Sequence, residues 1–263
     1  MGIALTRHDL LAAEMVLVAP SMFSRNDGRG VGIYVLDTGC DNTHPDLWGR
    51  VELQDLFNLG NDHCDHGTHV AGLLVSSKVG IAPEAKVIMI KICNDHAQID
   101  YGMVEIALEW ISRNHNIRQK ALINLNFKLT KRVMQLLSDC EKRGILAFVA
   151  AGNSNAYIPE TDWGRSYLMV GSLRDRHNRA DTSDYGGMVD IYAPGEGIMS
   201  CRPGGAYRSA SGTSMAAPIA CAVGALFLSR ESLEPRALRQ KILENCRMFN
   251  ARRVVYFPYC VPV

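Results

Sequence analysis

Five short runs of the chain, residues 31–36, 86–92, 121–125, 145–150 and 167–171, are almost continuously apolar and rich in β-branched side chains. A strand exposed on one face alternates polar with apolar residues. Runs without alternation predict strands covered on both faces. Between them, apolar positions recur at helical spacing over residues 66–76, 101–114 and 130–143. Strand–helix alternation of this kind predicts an α/β fold with a mostly parallel central sheet and helices on both faces. A further segment, residues 213–229, is filled with Ala, Gly, Val and Leu around Cys221 and predicts a fully buried helix. Ligands of such sheets sit beyond the carboxyl ends of the strands, which directs attention to strand ends and helix starts.

Composition narrows the picture. With 263 residues, 47% hydrophobic and 21% charged, the chain can bury one large core. It carries no internal repeat, low-complexity tract or linker, so residues 1–263 are expected to form a single domain. A net charge of +1 argues against nucleic acid or an anionic membrane as partner. No apolar run is expected to be long enough to span a bilayer. Arg7, His8, Asp9 and Glu14 interrupt the N-terminal stretch, which argues against a signal peptide. The eight cysteines include no C-x-x-C pair, and predict buried thiols with one or two disulfides.

Three segments offer chemistry. Asp37 follows a predicted strand in Val35-Leu36-Asp37-Thr38-Gly39. His66 opens a predicted helix in His66-Gly67-Thr68-His69, and Ser214 opens another in Gly212-Thr213-Ser214-Met215-Ala216. A serine hydroxyl is a weak nucleophile and needs a base, which His66 supplies in the right pKa range. Asp37 would hold the imidazole tautomer and stabilise the imidazolium. Asn153, in Ala151-Gly152-Asn153, would donate to an oxyanion together with the Ser214 N–H. Each segment has a plainer reading: an Asp-Thr-Gly turn, a packed histidine, a helix cap. Four segments in one order displace those readings. A zinc site from His63, Cys64, Asp65, His66 and His69 uses suitable residue types, but leaves Gly67-Thr68 and the Ser214 motif without a role.

With these motifs the chain resembles the subtilisin-like serine proteases, and within them the proteinase K-like branch. Supporting stretches are Asn42-Thr43-His44-Pro45-Asp46-Leu47, Ser183-Asp184-Tyr185-Gly186 and Asp190-Ile191-Tyr192-Ala193-Pro194-Gly195. The resemblance implies a three-layer subtilisin-like fold and an endopeptidase that takes an extended peptide as an added strand. It places substrate beside Ala97, Gln98 and Ile99 on one side and Asn126, Phe127 and Lys128 on the other. Both segments depart from the small residues usual in the family, so the alternative function is a catalytically impaired relative that binds a peptide or protein partner. The resemblance implies no cofactor for the chemistry, but a structural calcium with Asp190 as ligand. It also implies a prodomain or other inhibitor, for which the 36 residues before Asp37 are too few. Cys64, two residues before the base, is expected to react with thiol reagents if it lies in the cleft.

Overall fold

The computed structural model describes residues 27–94, 98–160, 165–175, 178–249 and 252–254. Its centre is a nine-stranded sheet. Seven strands are mutually parallel: β1 (Val31–Asp37), β2 (Val51–Leu53), β3 (Lys86–Lys91), β4 (Lys120–Leu125), β5 (Ile145–Ala150), β6 (Tyr167–Leu173) and β7 (Ile191–Pro194). Their spatial order is β7-β6-β5-β4-β1-β3-β2. A separate antiparallel hairpin, β8 (Ile198–Arg202) and β9 (Ala206–Ala210), lies outside this sheet. Two short strands extend the β7 edge. β11 (Arg252–Val254) joins β7 through the single pair Val254↔Tyr192, and β10 (Arg247–Phe249) runs antiparallel to β11.

The lack of alternation in the strand sequences has a direct cause. Val31, Ile33 and Val35 of β1 enter one core together with Leu146 and Phe148 of β5. Tyr34 and Leu36 enter a second core with Ala147 and Val149. Successive side chains of a strand point to opposite faces, so a strand between two cores must be apolar at every position. The first core is closed by helices α1 (His66–Val75), α4 (Thr213–Arg230) and α5 (Pro235–Glu244). The second is closed by α2 (Tyr101–Asn114) and α3 (Lys131–Lys142), which pack on one another. The result is the expected α/β arrangement of three layers.

The helix ends follow local chemistry. The Asp100 carboxylate accepts from Met103 N at 3.1 Å and starts α2. The Thr130 hydroxyl accepts from Val133 N at 3.2 Å and starts α3. Each satisfies one of the amides that a helix start leaves unpaired. Central helix α4 is buried on all sides, and its Gly224 lets Phe148 of β5 approach: a Cβ there would lie 2.7 Å from the ring.

Two expectations need correction. None of the seven described cysteines forms a disulfide, and five of them (Cys40, Cys93, Cys140, Cys201 and Cys221) are fully buried in the two cores or beside them. A buried thiol acts as a small apolar side chain and needs no partner. One apolar segment does reach membrane-spanning length and composition. It is α4, with 83% of it buried inside the protein, so its apolarity serves the core.

Candidate active site

Parallel strands all end on one edge of the sheet, and the polar residues singled out above collect there. Asp37 is the last residue of β1, paired in register with Lys91 of β3, and its side chain is 4% exposed. One carboxylate oxygen, Oδ1, accepts from His66 Nδ1 at 2.7 Å and from Thr38 N at 2.8 Å. The other, Oδ2, accepts from Asn126 Nδ2 at 2.9 Å. Burial alone would raise the carboxyl's pKa, but the His66 charge and these three donors hold it below the ordinary value.

His66 is the first residue of α1. The residue before it, Asp65, adopts a left-handed conformation (φ 65°), a costly one for a non-glycine residue. Its carboxylate is anchored by Arg202 Nε of β8 at 2.7 Å. The strained turn therefore fixes the direction in which the imidazole leaves the helix. The Asp37 charge raises the His66 pKa above the usual imidazole value, against burial, which lowers it. One third of the His66 side chain is exposed, and it opens into a cavity of about 210 Å³ shared with Asp37, Cys64, Ile99, Asn126 and Phe127.

The second half of the site grows from β5 and α4. Asn153 follows β5 and is exposed. Its Oδ1 accepts from Thr213 N at 2.8 Å and from Thr213 Oγ1 at 3.0 Å, while Thr213 Oγ1 accepts from Gly152 N at 3.1 Å. Tying the amide oxygen in this way leaves Nδ2 as the end available to a ligand. Gly212 makes the approach possible. Its φ is +135°, and a Cβ would stand 3.0 Å from Asn153 Nδ2. Asp184 braces the same loop, its Oδ1 accepting from Ser154 N (2.9 Å) and Ala156 N (2.8 Å). Ser214 is the second residue of α4, half-buried at the helix N-terminus, where unpaired amides favour negative charge.

The two halves meet through packing. Helix α1 lies against α4, and the β8–β9 hairpin joins them. His69 Nε2 donates to Ile198 O (3.1 Å) and Arg208 O (3.2 Å), and Ser200 Oγ donates to His69 O (2.7 Å). From the end of β9 the chain runs directly into Gly212. Among the described residues no hydrogen bond joins Ser214 Oγ to His66. In ligand-free enzymes such contacts are often long and tighten once substrate is bound.

A buried carboxylate on an imidazole, and a helix-start serine beside an anchored amide, now stand on one edge of a parallel sheet. The family model described as "Subtilase family" matches residues 28–254. The chain belongs to the subtilase family. A subtilisin-like protease of Coccidioides posadasii is 34% identical over 246 residues, covering 88% of this chain and 61% of that protein. Subtilisin-like protease 5 of Arthroderma otae is 32% identical over 253 residues, covering 89% and 64%. The chain thus spans less than two thirds of the length of these relatives. A crystal structure of a cold adapted subtilisin-like serine proteinase superposes with a TM-score of 0.80 at 26% identity, covering 89% of this chain and 91% of that one.

Within this subtilase the expected substrate segments separate. Ala97 lies outside the described residues. Gln98 is exposed and exchanges hydrogen bonds with Asn94, and Ile99 forms an antiparallel bridge with Cys93. Ile99, Asn126 and Phe127 line the cavity that holds the Asp37–His66 pair, and the Asn126 amide is engaged by Asp37 and Asn124. Lys128 is exposed at a second cavity of about 460 Å³, walled largely by Leu129, Met134, Val149, Tyr157 and Met169. Cys64 does lie in the cleft.

The calcium expected at Asp190 does not fit. Asp190 Oδ2 accepts from Arg165 Nη1 (3.1 Å) and Met169 N (2.8 Å), and Oδ1 accepts from Arg239 Nη2 (2.8 Å). Arg165 Nη1 also holds Met188 O at 2.6 Å. Calcium collects six to eight oxygens, but here the oxygens already face two guanidiniums. Among the described residues there is no cluster of three or more metal-ligating side chains. Sequence reasoning missed Asp62, Thr213 and Asp184. Asp184 stood in the Ser183-Asp184-Tyr185-Gly186 stretch that supports the family resemblance, but nothing local revealed which loop it braces.

Proposed function

We propose that this chain is a serine endopeptidase catalytic unit. The observation that carries the reading is the 2.7 Å contact between the buried Asp37 carboxylate and His66 Nδ1, which leaves Nε2 as the basic nitrogen of a ring that lines the cavity. In this reading His66 Nε2 takes the Ser214 hydroxyl proton as Oγ bonds to the substrate carbonyl carbon. The carbonyl oxygen becomes negative and is received by Asn153 Nδ2 and the Ser214 N–H. Collapse breaks the C–N bond, and the amine departs with the proton from His66. Water then repeats the sequence on the acyl-serine, again through His66, and restores the free hydroxyl.

The substrate is an extended protein or peptide segment. The largely apolar 460 Å³ cavity, beside the Asn153 loop, suits a large apolar side chain at the cleavage point. Its rim also carries Lys128 and Lys131, which disfavour a basic one. Digestion of a diverse peptide library tests the proposal, with Ser214→Ala protein as control. Cleavage after large apolar residues, absent in the Ser214→Ala sample, is expected. A folded wild-type protein that binds peptides without cleaving them would assign the chain to the non-catalytic alternative.

A further inference from the structure

One buried carboxylate next to this site has no part in the hydrolytic steps. Asp62 is 7% exposed and lies in the turn that leads into α1. Four donors converge on it from three places in the chain. Oδ1 accepts from Thr38 Oγ1 (2.8 Å) and Cys64 N (2.9 Å), and Oδ2 accepts from Thr68 N (2.9 Å) and Thr68 Oγ1 (2.7 Å). Both hydroxyls are themselves engaged as acceptors: Thr38 Oγ1 from Gly67 N (2.8 Å) and Thr68 Oγ1 from Asp41 N (2.9 Å). Thr38 follows Asp37, and Gly67 follows His66. The network therefore locks the turn that carries the acid to the helix turn that carries the base. A Cβ on Gly67 would fall 2.0 Å from Gly39 O, so the two segments already stand as close as backbones can.

We propose that Asp62 is a positioning residue for His66, clamping the Asp37 turn to the start of α1 and adding a second buried negative charge in the turn that precedes the imidazole. This rests on the reading of His66 as the catalytic base. The titratable groups around His66 are Asp37 at the end of β1, whose carboxylate holds the ring, Asp62 in the preceding turn, which acts on it through its charge, and Cys64 and Cys93, which line the same cavity. His69 on α1 and Arg208 on β9 complete the set. Asp37 and Asp62 favour the imidazolium, whereas Arg208 opposes it. A charge buried among protein groups is screened far less than a surface charge, so Asp62 acts on His66 across the intervening turn.

The isosteric change Asp62→Asn removes the charge and turns one oxygen into an NH2 group. Because each oxygen holds a backbone N–H, at least one buried N–H then faces a donor, a defect that costs stability and precision. The expected result is a roughly tenfold to hundredfold loss in kcat with KM little changed. The acid limb of the kcat/KM profile is expected to move to lower pH, because one of two charges supporting the imidazolium is gone. Asp62→Glu keeps the charge, so its limb stays in place.

An NMR titration of the His66 Cε1–H resonance reads the same shift in a Ser214→Ala background. It requires no catalysis, so its outcome does not depend on whether the chain cleaves peptides. A purely structural Asp62 would lower amplitude and melting temperature but leave the His66 midpoint where it is; an unmoved midpoint in folded Asp62→Asn protein overturns the proposal. If Asp62→Asn does not fold, Thr68→Val tests the clamp, since it keeps the charge and removes one hydroxyl. Reduced kcat at unchanged midpoint supports the clamp, and wild-type kcat refutes it.

Discussion

The anchoring of Asn153 makes a graded prediction about turnover. Its amide oxygen is held by two donors of one residue, Thr213 N and Oγ1, which leaves Nδ2 to receive the oxyanion of the proposed reaction. Removing such a donor in subtilisin costs about 100- to 1,000-fold in kcat, about 2.7–4 kcal/mol, and the same range is expected for Asn153→Ala. KM should change little, because the interaction strengthens only as charge develops. Asn153 is exposed, so the substitution should leave most of the stability intact. Thr213→Val is the intermediate case. It removes the 3.0 Å hydroxyl contact and the acceptor for Gly152 N but retains the 2.8 Å backbone contact. One neutral hydrogen bond is worth about 1 kcal/mol, so kcat should fall by roughly fivefold. Steady-state kinetics on a chromogenic peptide amide, normalised by active-site titration, give both values. An Asn153→Ala protein with kcat within about threefold of wild type would refute the assignment of its amide to the oxyanion.

Other consequences follow from the same geometry. Because Asp37 raises the His66 pKa, kcat/KM should decline on the acid side with a midpoint above the usual imidazole value of about 6.5. Asp37→Asn should move that midpoint down while lowering kcat by about 10⁴, as loss of the tautomer-holding acid does in related chemistry; a pH–rate series checks both. Arg165 and Arg239 occupy Asp190, so any effect of a chelator on the melting temperature should be the same in Asp190→Asn as in the wild type. Arg165→Met, which strips a partner from a buried carboxylate, should lower stability by about 3 kcal/mol in urea titration. His69 is fully buried, with its Nδ1 unpartnered, and burial pushes its pKa down to about 4. The unfolded chain takes up that proton near pH 6.5 and the folded chain only near 4. The contribution of the neutral buried His69 is therefore complete above about 6.5 and should fall by up to about 3 kcal/mol as pH drops to 4. Titration of unfolding free energy against pH, flattened in His69→Asn, tests this.

What could be read from the sequence was whatever repeats locally. The five strand runs predicted from apolar continuity end within a residue or two of β1, β3, β4, β5 and β6, because two-sided burial leaves an unbroken signature. Strands with weaker burial left none. β2 has three residues, and the β8–β9 hairpin is partly exposed with Arg202 and Arg208 along it. Helix α5 buries only Pro235, Leu238 and Ile242, although Pro235 in its first turn is a start signal that could have been used. The positions of Asp37, His66, Asn153 and Ser214 on one edge of the sheet could be anticipated because each sits in a short motif at a strand end or helix start. Those of Asp62, Asp184 and the Arg165–Asp190–Arg239 cluster could not. Their partners are 24 to 49 residues away in several cases, and pairings of that span are set by the fold.

The most direct test of the account is intact-protein mass spectrometry after exposure to a fluorophosphonate, which reacts only with a serine hydroxyl activated by its neighbours. One adduct per chain on Ser214, lost in Ser214→Ala and strongly slowed in His66→Ala, is the predicted result. A folded wild-type chain that gains no mass, or one modified equally fast without His66, would contradict it.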